Sequence, residues 1–192
     1  MNRDSVKRII LAITGASGSL YAREFLRLMQ ELDVEVHGIV SAAGREVMGF
    51  ELACTPEDLA DLVHAWYPVS DFTAAMASGS SRFDAMVVLP CSMGSLAAIA
   101  NGISANLIHR AADVMLKEQR PLLLAVRETP LNRTHLRNML KVQEAGALIC
   151  PPMPAFYHRP RSLEEMARFF ACRLGDLLGL DVPAVNRWAG GI

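Results

Sequence analysis

Apolar positions along the chain fall into short, nearly unbroken runs separated by stretches of helical spacing. "RIILAIT" (Arg8 to Thr14), "VEVHGIV" (Val34 to Val40), "AMVVLP" (Ala85 to Pro90), "PLLLAV" (Pro121 to Val126) and "ALIC" (Ala147 to Cys150) read as five strands. The unbroken runs, Arg8 to Thr14 and Ala85 to Pro90 above all, suit strands covered on both faces, as in a parallel sheet. Between them Leu20, Phe25, Leu28 and Leu32 recur at helical intervals, and helices are predicted over Ala42–Leu52, Asn106–Gln119 and Thr134–Ala145. Thr55, Pro56 and Asp58 supply an N-cap, an N1 proline and an N3 acid for a helix running towards Trp66. Ser162 and Glu165 make a capping box that opens a last helix through Leu178. The alternation predicts an α/β fold with a single doubly wound, mainly parallel sheet and helices on both faces. No repeat, low-complexity tract or linker interrupts the pattern, so residues 1–192 are expected to be one domain.

In such a Rossmann- or flavodoxin-like sheet, ligands bind at the carboxyl ends of the strands. Each apolar run is followed there by polar or special residues: Gly15 to Gly18, Ser41, "CSMGS" (Cys91 to Ser95), "RETP" (Arg127 to Pro130) and "PPMPAFYHRP" from Pro151. The opening turn, "TGASG", joins a strand to a helix N-terminus, where unpaired amides and the helix dipole favour an anion. It is not a dinucleotide fingerprint, because Tyr21 stands where a third glycine is needed and Ser41 where a ribose-binding acid would end the second strand. No Gly-Lys-Ser/Thr follows, which excludes a P-loop. A small phosphate site with Ser17 in the turn survives these tests.

A net charge of −1 gives no footprint for nucleic acid or for an anionic membrane. A hydrophobic fraction of 52% with ten methionines is high for this length and points to apolar surface buried between copies of the chain, hence a homo-oligomer. The four cysteines form no C-x-x-C pair and "MNRDSVKR" is too charged for a signal peptide, so a cytoplasmic location is expected. Ala85 to Ile108 carries no formal charge, but Pro90, Gly94, Asn101, Gly102 and Asn106 break it into strand, loop and short helix. The five histidines show no metal-ligand spacing.

Taken together, "TGASG", "PCSMGSLAAIANG", "NLIHRAADVMLKEQRPLLLAVRETPL", "HLRNML" and "PPMPAFYHRP" resemble the flavin prenyltransferases, the UbiX-like enzymes, over roughly Arg8 to Trp188. The resemblance implies transfer of a dimethylallyl group from dimethylallyl phosphate to N5 and C6 of reduced FMN. The prenylated FMN so made would serve a UbiD-like decarboxylase. By position, Gly15, Ala16, Ser17, Ser41, Ser92, Met93, Gly94, Ser95 and Arg127 match FMN contacts. Tyr157 and Arg173 match prenyl-phosphate contacts, with Arg110 and Lys117 completing that basic pocket. Ser17, Glu51 and Glu128 match positions that handle protons. The chain departs from the common pattern at Ala42, where many members have Lys, and at Phe72, where some have Trp.

That chemistry suits these residue types. An allylic phosphate reacts by releasing phosphate, and a cluster of Arg and Lys holds the developing charge without a metal. Ring closure on the flavin releases a proton and calls for a base, a role open to Glu51 or Glu128. Read without the resemblance, Arg110, Asp113 and Lys117 are a solvated helix face, Glu128 is a surface partner of Arg127, Arg173 snorkels, and Tyr157 is a core ring. Two other functions compete. A flavin-dependent cysteine decarboxylase would need motifs that "GISANL" and "PPMPAF" echo only faintly, and a non-catalytic FMN-storage protein would not need Arg110, Lys117, Tyr157 and Arg173.

Overall fold

The computed structural model describes residues 8–182. The N-terminal charged stretch before Arg8 and the end of the matched region at Trp188 lie outside the described residues. Six strands, β1 (Arg8–Ile13), β2 (Glu35–Val40), β3 (Ala65–Tyr67), β4 (Ala85–Cys91), β5 (Leu122–Val126) and β6 (Leu148–Ile149), form one sheet in the order β3-β2-β1-β4-β5-β6. Every neighbouring pair is parallel. The helices are α1 (Ser19–Glu31), α2 (Ala42–Leu52), α3 (Met93–Ala100), α4 (Leu107–Lys117), α5 (Arg133–Glu144) and α6 (Leu163–Leu177).

Alternate side chains of β1 separate the core into two layers. Ile9, Leu11 and Ile13 face a cluster with Phe25 and Leu28 of α1 and Leu174 of α6. Ile10 and Ala12 face a cluster with Leu96 of α3 and Ala111 and Met115 of α4. β4 is buried at all seven positions, which explains why its sequence shows no polar alternation. Among the described residues no helix is long and apolar enough to cross a membrane.

Two local expectations are corrected. Thr55 and Asp58 do cap an element, with Asp58 Oδ2 accepting from Thr55 N at 2.8 Å. That element is a 3-10 turn, Pro56–Leu62, and not a helix reaching Trp66. At Val63 the chain becomes extended, and the Ala-Trp-Tyr run pairs with β2 as a sixth strand. Three residues were too few to stand out as an apolar run, but the aromatic pair Trp66 and Tyr67 fits a pleated edge. At the last helix Ser162 Oγ accepts from Glu165 N at 3.1 Å, whereas the Glu165 carboxylate takes the amide of Arg161 at 2.6 Å, so the box is not reciprocal.

β1 leads leftward to β2 and β3, and β4 leads rightward to β5 and β6. The order therefore reverses between β1 and β4, and the loops after these two strands diverge around a crevice.

Candidate active site

Thr14, the first residue past β1, ties the two sides of that crevice together. It is buried, its hydroxyl donates to Pro90 O at 2.8 Å, and the same oxygen accepts from Ser92 N at 2.8 Å. The sequence reading did not single out Thr14; its signal is a lone hydroxyl where an apolar run stops.

The turn that follows needs glycine twice. Gly18 has φ +130, a region that L side chains rarely adopt. A Cβ on Gly15 would lie 2.5 Å from the Cβ of Ala43, so the turn packs directly on the first turn of α2. The anion attracted by the α1 N-terminus is supplied by the chain itself. Glu51, from the end of α2, accepts from Gly18 N at 3.0 Å and from Ser19 N at 2.7 Å. Burial pushes its carboxyl pKa up, but the Ser17 hydroxyl and the Gly18 and Ser19 amides outweigh that and hold it below the ordinary value. Glu51 is consequently an ionised base touching Ser17 at neutral pH.

α3 carries the free donors. Ser92 caps it, its Oγ accepting from Ser95 N at 3.3 Å and lying 3.1 Å from the Ser95 hydroxyl. A Cβ on Gly94 would meet nothing within 4 Å, so the first turn of α3 opens onto space. Across the crevice Arg127, just past β5, sends Nε to Ser17 O at 3.2 Å while its own amide donates to Cys91 O at 3.1 Å. Ser41 caps α2 by accepting from Gly44 N at 3.0 Å, and it lines a cavity of about 450 Å³ with Arg45, Trp66 and Pro68. Glu128 is exposed and accepts from the amide of Thr129 at 2.9 Å. The Cys91 thiol at the floor is pushed up to about 12 by burial, which leaves no thiolate for nucleophilic chemistry.

Gly15, Ala16, Ser17, Ser41, Glu51, Ser92, Met93, Gly94, Ser95, Arg127 and Glu128 are thus gathered along the carboxyl edge. The other four are elsewhere in the same chain. Arg173 lines a cavity of about 390 Å³ with Cys150, Met153, Phe169 and Phe170, beside β6 at the end of the sheet. Tyr157 is exposed and packs edge-on against Phe169 at 5.7 Å. On α4, Arg110 donates to Ala77 O at 3.0 Å and pairs with Asp113 at 2.8 Å. Lys117 pairs with Glu118 at the end of α4 that leads into β5, which puts it at the amino edge.

A mononucleotide of flavin fits this crevice: hydroxyls and amides at a helix N-terminus suit its phosphate, and the guanidinium of Arg127 suits its polar edge. The comparisons agree. The Flavoprotein family model matches residues 1–167. The flavin prenyltransferase UbiX of Methanothermobacter thermautotrophicus is 46% identical over 185 residues, covering 96% of this chain and 97% of that one. This chain belongs to the UbiX flavin prenyltransferase family. Among solved structures, that of AnUbiX (PadA1) in complex with FMN and dimethylallyl pyrophosphate superposes with a TM-score of 0.94 at 42% identity, covering 97% of this chain and 99% of that one. A dodecameric FMN-dependent UbiX-like decarboxylase from Escherichia coli O157:H7 gives 0.92 at 38% identity, covering 95% and 100%.

Proposed function

We propose that this protein is a flavin prenyltransferase that joins the dimethylallyl group of dimethylallyl phosphate to N5 and C6 of reduced FMN. Near-full-length identity to UbiX enzymes, together with the donor-lined crevice at the β1/β4 reversal, carries that reading. Reduced FMN supplies the nucleophilic nitrogen and ring carbon. Gly15 to Ser17, Ser41, Ser92 to Ser95 and Arg127 hold it. N5 bonds to the allylic carbon as its C–O bond breaks and the electron pair leaves with phosphate, and C6 bonds to the far alkene carbon as the π bond is consumed; of the two protons lost from N5 and C6, one adds to the middle prenyl carbon and the other ends on phosphate. Glu51, ionised and in contact with Ser17, is the group placed to carry the proton; Glu128 stands on the opposite loop.

Arg110, Lys117, Tyr157 and Arg173 bind the leaving phosphate in this reading. Because one chain holds them apart, a homo-oligomer supplies them from neighbouring copies, through apolar residues left exposed such as Leu136, Leu140, Met153 and Phe156. The chain acts as one domain in the cytoplasm, and its product passes to a UbiD-like decarboxylase. No metal takes part, since the cations neutralise the leaving group. Prenyl transfer from dimethylallyl phosphate should therefore run undiminished in EDTA; a strict Mg²⁺ requirement would contradict this mechanism. Arg173→Ala should still bind FMN but turn over ten- to a hundredfold more slowly at low donor, about 1.4 kcal/mol per tenfold. A parental rate would remove Arg173 from the site.

A further inference from the structure

A broad cavity lies at the amino edge of the sheet, the opposite edge from the crevice. It measures about 960 Å³, and its lining includes Glu35 and His64 beside the carboxylates of Asp33, Asp61 and Asp181. Glu35 and His37 are two apart on β2, so their side chains share one face. His64 enters β3 alongside, its ring 4.8 Å from that of His37. One oxygen and two imidazole nitrogens thereby come within 4.8 Å of one another. Strand geometry explains why residue spacing alone shows no such set: the third ligand comes from a neighbouring strand.

From this arrangement we propose that Glu35, His37 and His64 form a binding site for a divalent transition-metal ion of the zinc class. Two imidazoles and a carboxylate are the donor set of a three-ligand zinc site with one open position, and here that position faces the cavity. Tetrahedral bonds of about 2.0–2.2 Å separate ligand atoms by roughly 3.5 Å, so closing the set requires shifts on the order of an ångström. The outer shell is already in place. His37 is buried, and its Nδ1 lies 3.0 Å from the Tyr67 hydroxyl, which fixes the ring with Nε2 towards Glu35.

The position between the ligands is occupied by an internal cation. Arg8 Nε lies 2.8 Å from Glu35 Oε1 and donates to His37 Nε2 at 3.1 Å, while Glu35 Oε1 and His37 Nε2 are only 2.5 Å apart. Glu35 and His37 share a hydrogen bond there, and a metal ion would take the place of both that shared proton and Arg8. Arg8 is partly exposed and can swing into solvent. The cavity's aspartates, which accept no ion pair among the described residues, favour cation entry.

The test is zinc titration of the full chain by calorimetry, with Zn²⁺ alone as the probe. One saturable site per chain is expected, weakened at least tenfold in His64→Ala and tightened about tenfold in Arg8→Ala, where the competing charge is gone. His64 is exposed, so its loss should leave the metal-free melting temperature in place; if it does not, Glu35→Gln gives the same reading. Absence of one-per-chain binding, binding untouched by either ligand variant, or no tightening in Arg8→Ala overturns the proposal. Since the site is at the far edge from the crevice, FMN binding and prenyl transfer are independent readouts that none of these outcomes should alter.

Discussion

Glu51 joins α2 to the opening turn, and in the proposed mechanism it also handles a proton. Its charge satisfies two amides at the start of α1, and the same hydrogen bonds keep it ionised. The sign of the pH effect follows. The folded pKa is held below the ordinary value of 4.5, so the stabilisation is complete above that value and fades as the pH falls through the lower, folded one. Glu51→Gln should cost about 1 kcal/mol at neutral pH, a figure discounted for the exposure of the side chain, and the gap to the parent should close in acid. Denaturant melts across that range measure it; a gap that stays constant with pH would mean that charge is not the cause. Arg127→Ala removes both the clasp on Ser17 and a charged donor, and FMN affinity should drop roughly ten- to a hundredfold, read by fluorescence quenching. An unchanged affinity would place the flavin elsewhere.

Between elements, the critical contact is α2 against the opening turn, because α2 carries Ser41 at one end and Glu51 at the other. Gly15→Ala puts a methyl 2.5 Å from that of Ala43 and must push the helix back. A loss of about 1–3 kcal/mol is expected, at roughly 2–4 °C of melting temperature each, together with weaker FMN binding. Unaltered melting would show that the loop yields freely. The sequence displayed Gly15 and α2 plainly, yet not their contact, since nothing local announces a packing distance. Long apolar runs made β1, β4 and β5 legible, and the polar residue after each run located the crevice. β3 was hidden because an edge strand of three residues has no apolar run, and capping signals before it favoured a helix. Lys117 and Arg173 were recognisable by motif, but their distance from the flavin loops depends on topology, which spacing along the chain does not encode.

At the scale of the whole molecule, the proposed phosphate site draws on several copies of the chain. Leu136 and Leu140 are one turn apart on α5, and both are more than half exposed, at 52% and 58%. Glutamates at both positions should dissociate the assembly in sedimentation and abolish prenyl transfer; an intact assembly would move the contact to another face. The central claim remains the reaction itself, and anaerobic incubation of the purified protein with reduced FMN and dimethylallyl phosphate, followed by mass spectrometry of the released flavin, tests it most directly. A flavin heavier by one dimethylallyl unit is expected, with phosphate released in equal amount. Recovery of unmodified FMN alone, from protein shown to bind both substrates, would contradict it.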